Sequence, residues 1–369
     1  MNILHITNSL SEGGVESLLY DLCSYTINEG HKVAVLVLNK NEIGLKRLFE
    51  EKGIKVIIGK YSNPYNINNI YEIRKIIKNY LVIHIHHFPC QLYASIAFSS
   101  LHGFKNKAIL ITTEHSTYNN RRKFSILNFL DRFFYKRYDR VICISSQTEE
   151  ELKKWLSFPS LEKKIMTIRN GVNIEKFANA KNILDKTIEI SSENNYIAMV
   201  GRFDPPKDQI TVIKALKLCP KNTHLIFIGS GKMMEVCKKE TTINNLTNRV
   251  HFIGNSKNVA GIIKGCKIGI LSTLWEGFGL VAAEYMAAGI PAVASNVKGL
   301  KEVINDNDLL FNPGDYQQLS YILNKLLSDS NFYSSKVDFC KKNVLKFSVK
   351  QMSKEYINTY TALINEKIK

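Results

Sequence analysis

The chain is short of acidic residues, of tryptophan and of long apolar runs. Asp and Glu number 33 against 50 Lys and Arg, a formal charge of +17. That excess favours acidic partners: nucleic acid, anionic lipid headgroups or phosphorylated substrates. A plain Lys-, Asn- and Ile-rich bias with solvated lysines produces the same balance. No apolar stretch reaches the ~18 residues of a membrane-spanning helix. The longest candidates are broken by Glu284 or by His84 and His86. The seven cysteines are scattered, with no C-x-x-C pair. This excludes a disulfide framework or a cysteine metal knuckle, and fits small core residues in a reducing compartment. Met1-Asn2-Ile3-Leu4-His5 opens on a strand pattern without a basic n-region or an apolar h-region. The expectation is a protein with no signal peptide, cytoplasmic or peripheral on the inner face of a membrane.

What is present is regular. At 369 residues the chain exceeds the ~250–300 that one core usually supports, so two domains are expected. Short β-branched runs alternate with longer helical patterns throughout. Strands are expected at residues 3–7, 33–38, 55–58, 81–86, 109–112 and 141–144, then at 196–201, 224–229, 250–254, 268–271, 291–294 and 309–311. Continuous apolar strands with helices between them describe α/β units whose parallel sheets are buried on both faces. Residues 170–195 interrupt the rhythm with weakly patterned polar sequence and are the best linker. Tyr356, Tyr360 and Ile364 recur at helical spacing, so 349–369 reads as a closing helix.

Chemistry-bearing residues collect where strands hand over to helices. Glu276-Gly277-Phe278-Gly279-Leu280 follows the strand at 268–271 and precedes an Ala-rich helix containing Glu284. Outside the carboxyl ends of the strands is where ligands bind in open α/β sheets. The plainer reading is a helix N-terminus decorated with acids that suit its dipole. Val200-Gly201-Arg202 and Lys207 leave the first strand of the second half. A guanidinium fork and an ammonium point charge suit a diphosphate. Gly13-Gly14 opens the first helix, where backbone amides can approach a phosphate. Gly229-Ser230-Gly231-Lys232 lacks the earlier Gly and the following Ser or Thr of an NTPase loop, and reads as a turn bordering a nucleotide. Asp306-Asn307-Asp308 has the spacing of a cation site, but reads first as a turn. His115 ends a strand on the same sheet edge as Gly13-Gly14, where a neutral imidazole can meet a sugar hydroxyl. His84, His86 and His87 read first as satisfied core or turn histidines, with no carboxylates beside them to complete a metal site.

Taken together these residues resemble the retaining nucleotide-sugar glycosyltransferases of family 4. The match runs through Gly13-Gly14, Arg169-Asn170-Gly171-Val172-Asn173, Val200-Gly201-Arg202 with Lys207, and Phe252-Ile253-Gly254. It is most specific in the E-x7-E block from Glu276 through Glu284-Tyr285-Met286-Ala287-Ala288-Gly289 to Ser295. The resemblance implies the GT-B fold: two Rossmann-like, doubly wound parallel-sheet domains facing a central cleft. It places one domain at 1–172 with 349–369 packed back on it, and a nucleotide-sugar domain at 173–348. By the same resemblance Glu276 contacts the donor sugar and Glu284 the ribose. Arg202 and Lys207 hold the diphosphate, the Gly279 and Leu280 amides add donors to the phosphate, and Gly277 and Phe278 belong to the same substrate-binding loop. Gly229 and Gly231 border the nucleotide, Gly13 and Gly14 the phosphates, and His115 the transferred sugar. No metal or cofactor is implied, because cations and amides can neutralise the departing diphosphate. No carboxylate need be a nucleophile, unlike the paired acids of retaining glycosidases. The chain departs from the family at Asn173, where Asp is usual, at Tyr285, where Ala is usual, and at Ser230, where an acid is common.

The implied function is transfer of a hexose-type sugar from a UDP- or GDP-sugar to a glycan or lipid-linked acceptor in surface polysaccharide biosynthesis. The alternatives are a sugar-nucleotide epimerase of the same fold, or a non-catalytic basic module binding nucleic acid or membrane. Nucleic acid is not the expected partner. Arg121, Arg122, Lys123, Arg132, Lys136 and Arg137 interleave with Phe124, Leu127, Phe129, Leu130, Phe133 and Phe134. That pattern describes either a helix lying on an anionic membrane or a core-facing helix with snorkelling arginines.

Overall fold

The computed structural model describes residues 1–11, 13–101, 108–117, 120–124 and 126–368, with the backbone alone at 120 and 121. The chain divides into two compact units, Met1–Gly171 with Val349–Lys369, and Val172–Ser348.

The first unit holds a seven-stranded sheet: β1 (Asn2–Thr7), β2 (Lys32–Val37), β3 (Lys55–Ile58), β4 (Val82–Ile85), β5 (Ile109–Glu114), β6 (Arg140–Cys143) and β7 (Ile165–Thr167). All neighbours pair in parallel, in the order β3-β2-β1-β4-β5-β6-β7. The order reverses between β1 and β4, which opens a crevice at the carboxyl ends of those strands. Alternation along the strands sorts residues by face. Leu4, Ile6, Ile83, Ile85 and Leu110 enter one apolar core, while Val33, Val35 and Val37 enter another with Leu19, Cys23 and Phe49. On that second face the central strands carry His5, His84 and Thr113 instead of apolar residues. The C-terminal helix Val349–Ile368 packs against the helix Gly14–Asn28 and against β5, and Tyr356 and Tyr360 cover this polar seam.

The second unit holds a six-stranded parallel sheet: β8 (Asn195–Val200), β9 (Thr223–Ile228), β10 (Val250–Gly254), β11 (Ile268–Leu271), β12 (Ala292–Ser295) and β13 (Leu310–Phe311). Its order is β10-β9-β8-β11-β12-β13, with the reversal between β8 and β11. The two α/β sheets agree with the fold class read from the alternating apolar runs. The stretch expected as a linker is not bare chain. Its residues Ile174–Ala178 form a short helix packed on the helices Val259–Lys264 and Leu280–Ala288. Asn173 caps that helix, its side chain accepting from the Lys176 amide at 3.1 Å. An N-cap needs only a short side-chain oxygen, so Asn in place of Asp keeps the function.

Candidate active site

In the second unit the loops leaving β8 and β11, the two strands at the reversal, are stitched together. Asp208 N donates to Ser272 O at 3.1 Å and Leu274 N to Pro206 O at 3.0 Å, with a bridge between Lys207 and Thr273. Asp208 then caps the helix Gln209–Lys217 by accepting from Thr211 N at 3.2 Å. This backbone places the Lys207 ammonium 2.5 Å from Glu276 Oε2, with both side chains about one-fifth exposed. Two residues expected to serve different parts of a donor are therefore already paired with each other. The other Glu276 oxygen accepts from its neighbour Gly277 N at 3.1 Å. Arg202 leaves β8 exposed, and among the described residues its guanidinium has no hydrogen-bond or ion-pair partner.

Glycines shape the floor of this edge. Gly229 has φ +136°, and a Cβ there would lie 2.2 Å from the Gly201 carbonyl oxygen, so the turn after β9 lies directly on the turn after β8. Phe203 N accordingly donates to Ser230 O at 2.9 Å and Met233 N to Phe203 O at 2.7 Å, with Gly231 between them. Ser230 Oγ meets Asn255 Oδ1 at 3.1 Å, which occupies the hydroxyl at the position where the family commonly has an acid. Gly279 has φ +89° and begins the helix Leu280–Ala288 without a side-chain cap. The first amides of that helix have no intrahelical acceptor, which leaves donors and the positive end of the dipole at the same edge as Arg202. Phe278 is buried and edge-on to Phe347, so its ring supports the loop and only its backbone is on offer to a ligand. Glu284 sits half-buried in the second turn of the helix.

Tyr285 lies beneath these loops. Its buried hydroxyl accepts from Val200 N at 2.7 Å and donates to Ile270 O at 3.3 Å, tying β8 to β11 across the reversal. A Cβ on Gly269 would lie 2.1 Å from that ring, so the large side chain occupies space left by a missing one. The departure at Tyr285 is thus a strut under Gly201 and Arg202.

In the first unit, Gly13 and Gly14 begin the helix after β1 and His115 follows β5, all at the carboxyl edge of the sheet. Residue 12 lies outside the described residues. Five imidazoles gather on one face here. His5 Nδ1 is 2.9 Å from His86 Nε2, and His86 Nδ1 is 3.1 Å from His115 Nε2. His84 is held by Tyr360 Oη and Thr113 Oγ1, each at 2.7 Å. His87 Nδ1 is 3.1 Å from Thr7 Oγ1, and its ring stacks on His115. Burial lowers the pKa of His5 to about 3 and of His87 to about 4, and holds His84, His86 and His115 well below the usual range. All five are neutral at pH 7. The ligand atoms of His5, His84 and His86 lie within 4.8 Å of one another. Five of their six nitrogens are engaged in hydrogen bonds, however, leaving only His5 Nε2. A metal ion would have to break that network, so the satisfied-core reading fits better.

Glu114, beside His115, is buried under Gln91 Nε2 at 2.5 Å, the Tyr135 hydroxyl and the Arg122 guanidinium at 3.4 Å. Arg122 is therefore turned inward and paired, which removes it from the residues expected to face a membrane. The Arg121 side chain lies outside the described residues. The helix Ile126–Tyr135 buries Phe134 and Tyr135 but exposes Ile126, Phe129, Leu130 and Phe133, with Phe124 exposed just before it. Arg132 Nε donates to Leu156 O at 2.5 Å, and Arg137 lies over the Phe133 ring. Lys123 and Lys136 remain exposed at its two ends. Asp306 and Asp308 both bind Lys336 Nζ at 2.7 Å in a short turn, which accounts for that acidic pair without a cation.

Residues 12–176 match the model of Glycosyltransferase Family 4, and residues 180–343 that of Glycosyl transferases group 1. An uncharacterized glycosyltransferase of Methanocaldococcus jannaschii is 30% identical over 294 residues, 76% of this chain and 68% of the relative. The Escherichia coli UDP-Gal:alpha-D-GlcNAc-diphosphoundecaprenol alpha-1,3-galactosyltransferase is 26% identical over 248 residues, 63% of each chain. The chain spans 59% and 63% of the length of the first curated relatives it matches. The Anabaena protein HepE, solved in complex with UDP and glucose, shares the fold with a TM-score of 0.83 at 19% identity, covering 97% of this chain and 99% of that one. With the residues of the E-x7-E block standing at the reversal of a parallel sheet, the chain belongs to the family 4, group 1 glycosyltransferases of the GT-B fold.

Proposed function

We propose that the protein transfers a hexosyl residue from a UDP-sugar to a glycan or lipid-linked acceptor in surface polysaccharide biosynthesis, with retention of configuration and without a metal. The observation that carries this reading is Arg202, exposed at the end of β8 and without a hydrogen-bond or ion-pair partner among the described residues. It shares that sheet edge with the uncapped helix beginning after Gly279 and with the ammonium of Lys207. A fork of N–H donors, a point charge and helix amides are the groups that neutralise a departing diphosphate. Glu276 receives the sugar hydroxyls, and Glu284 the ribose. Lys207 divides its charge between Glu276 and the phosphates, which holds the carboxylate in place. Gly13, Gly14 and His115 serve the transferred group from the first unit. UDP is favoured over GDP because the E. coli relative is named for UDP-Gal and HepE was solved with UDP. The exposed aromatic face of Ile126–Tyr135, flanked by Lys123 and Lys136, supports a lipid-linked acceptor taken up at an anionic membrane surface.

A thermal-shift screen across UDP- and GDP-sugars tests the donor. A ligand at 100 times its dissociation constant stabilises by about 2.7 kcal/mol. Stabilisation by a UDP-sugar, with transfer that survives chelator and gives a product of unchanged anomeric configuration, is expected. No response to any nucleotide sugar would overturn the reading.

A further inference from the structure

Charged residues make up 22% of the chain, yet the run Tyr61-Ser62-Asn63-Pro64-Tyr65-Asn66-Ile67-Asn68-Asn69-Ile70-Tyr71 contains none. It leads from β3 into the helix Asn69–Ile77, and the ion pair of Lys60 Nζ with Glu72 Oε1 at 3.1 Å closes it at its base. The segment runs along the carboxyl edge of the first sheet. Tyr61 O accepts from Lys40 N, just past β2, at 3.0 Å. Farther on, the Tyr65 ring lies against Phe88, in the loop after β4, with centroids 6.2 Å apart. The segment therefore reaches the reversal between β1 and β4.

Its amides are oriented by the backbone. Asn63 Oδ1 accepts from Tyr65 N at 2.9 Å, and Asn66 Oδ1 accepts from Asn68 N at 3.0 Å. A backbone N–H needs the oxygen of the amide and not its NH2, so each Nδ2 is turned away from the loop. Neither Nδ2 has a partner among the described residues. Asn63 is exposed, and Asn66 Nδ2 is not among the buried polar atoms. Asn69 differs, because its Nδ2 donates to Pro64 O at 3.1 Å and only braces the turn. Tyr65 is 61% exposed although its backbone is pinned at both groups, the amide by Asn63 and the carbonyl by Tyr93 Oη at 2.6 Å. Ile67 and Tyr71 of the same segment are exposed as well. A ring and two amides already held in place lose little freedom when they meet a ligand.

The chemistry on offer is specific. The electron-rich face of a tyrosine suits the C–H face of a pyranose, and outward NH2 groups donate to hydroxyl oxygens. The lack of any cation counts against a phosphate, a nucleic acid or an anionic lipid, which a chain of charge +17 has ample means to bind elsewhere. The surface also adjoins the residue assigned to the transferred sugar, since Phe88 follows His87, whose ring stacks on His115 at 5.4 Å between centroids. We propose that Tyr65, Asn63 and Asn66 form a carbohydrate-binding surface that holds a neutral sugar unit of a glycan acceptor. That the glycan is an acceptor rests on the function proposed above. The binding of a neutral carbohydrate does not.

Saturation-transfer NMR on the full-length protein reads such weak binding directly. The probes are neutral oligosaccharides of glucose, galactose, mannose and N-acetylglucosamine. Transfer of saturation to at least one of them is expected, and none to any of the four overturns the proposal. Tyr65→Ala should weaken that binding about tenfold or more, whereas Tyr65→Phe keeps the ring and should keep the binding. Asn63→Asp with Asn66→Asp preserves the oxygens that accept from the backbone and removes both outward donors. It should weaken binding about fivefold or more with the melting temperature unchanged, which separates the donors from the fold. Affinity equal to wild type in Tyr65→Ala and in the double variant overturns the proposal. A wild-type protein that binds the oligosaccharide through Tyr65 but gives no thermal shift with any nucleotide sugar would fail the transferase reading and leave this surface standing. A nucleotide-sugar shift without oligosaccharide binding would fail the surface alone.

Discussion

Acid should open the first unit well before it opens the second, because the fold holds neutral histidines that the unfolded chain would protonate. His5 titrates at about 3 and His87 at about 4 in the folded state, against 6.5 when exposed. A pKa lowered by folding contributes stability that is complete above 6.5. That stability is lost progressively as pH falls from 6.5 towards the folded value, since the unfolded state takes up the proton first. At pH 5 each of these two groups costs about 2 kcal/mol relative to neutral pH, or about 4 kcal/mol together. His84, His86 and His115 are shifted the same way and add to it. The Glu114 carboxylate opposes the shift at His87 without reversing it. A domain stable by about 5–15 kcal/mol at neutral pH is then expected to reach its midpoint near pH 5.

Tryptophan fluorescence separates the units, because Trp155 lies in the first and Trp275 in the second. In a Trp275→Phe background, urea unfolding followed at Trp155 between pH 7.5 and 5 should show stability falling by at least 4 kcal/mol, the sum worked above. His5→Phe removes one titration and should reduce that fall by about 2 kcal/mol. A first unit whose stability at pH 5 lies within about 1 kcal/mol of its value at pH 7.5 would refute the reasoning, since even one buried neutral histidine exceeds that. His224 and His251, also lowered by burial, belong to the second unit and do not enter the Trp155 signal.

Arg202→Ala should cut sugar transfer roughly 10²–10³-fold, the scale of losing one electrostatic stabiliser, with its melting temperature unchanged because the side chain is exposed. Turnover close to wild type would remove it from the diphosphate site. Gly269→Ala should destabilise the second unit by about 1–3 kcal/mol, because the new methyl group meets a Tyr285 ring pinned at its hydroxyl. Tyr285→Phe should cost about 1–3 kcal/mol by removing the acceptor of the Val200 amide, and calorimetry checks both variants. Phe129→Ser with Phe133→Ser should weaken binding to phosphatidylglycerol vesicles at least tenfold, from roughly 1.5–3 kcal/mol for each ring that would be buried in the interface. Lys123→Glu with Lys136→Glu should weaken it further at low salt by about 1 kcal/mol per charge. Unchanged vesicle sedimentation in both pairs would exclude this face.

What the sequence made legible follows from the range over which each feature is encoded. Strands buried on both faces announce themselves as apolar runs, so the strands of the two sheets could be anticipated from neighbours within a few residues. β7 escaped because its three residues, Ile165–Thr167, make too short a run to separate from a turn. Alternation also revealed more than was taken from it. Leu4-His5-Ile6 and Ile83-His84-Ile85-His86 put every imidazole on the face opposite the apolar core, and parallel register then makes His5 and His84 direct neighbours. No local pattern could say what covers them. Tyr360, which satisfies His84, comes from 276 residues away, and Tyr356, which meets Thr113, from 243. The same limit governs the candidate site. Glu276 and Lys207 were each legible as residues at a strand end, but their pairing across 69 positions depends on β8 and β11 being adjacent at the reversal. Tyr285 shows the limit most plainly. It departs from the family pattern, yet it is tolerated because Gly269 lacks the atom that would exclude it and because two backbone groups on different strands need its hydroxyl. A local rule can name the residue that breaks a pattern, whereas only the crossover topology shows the partner that makes the break stable.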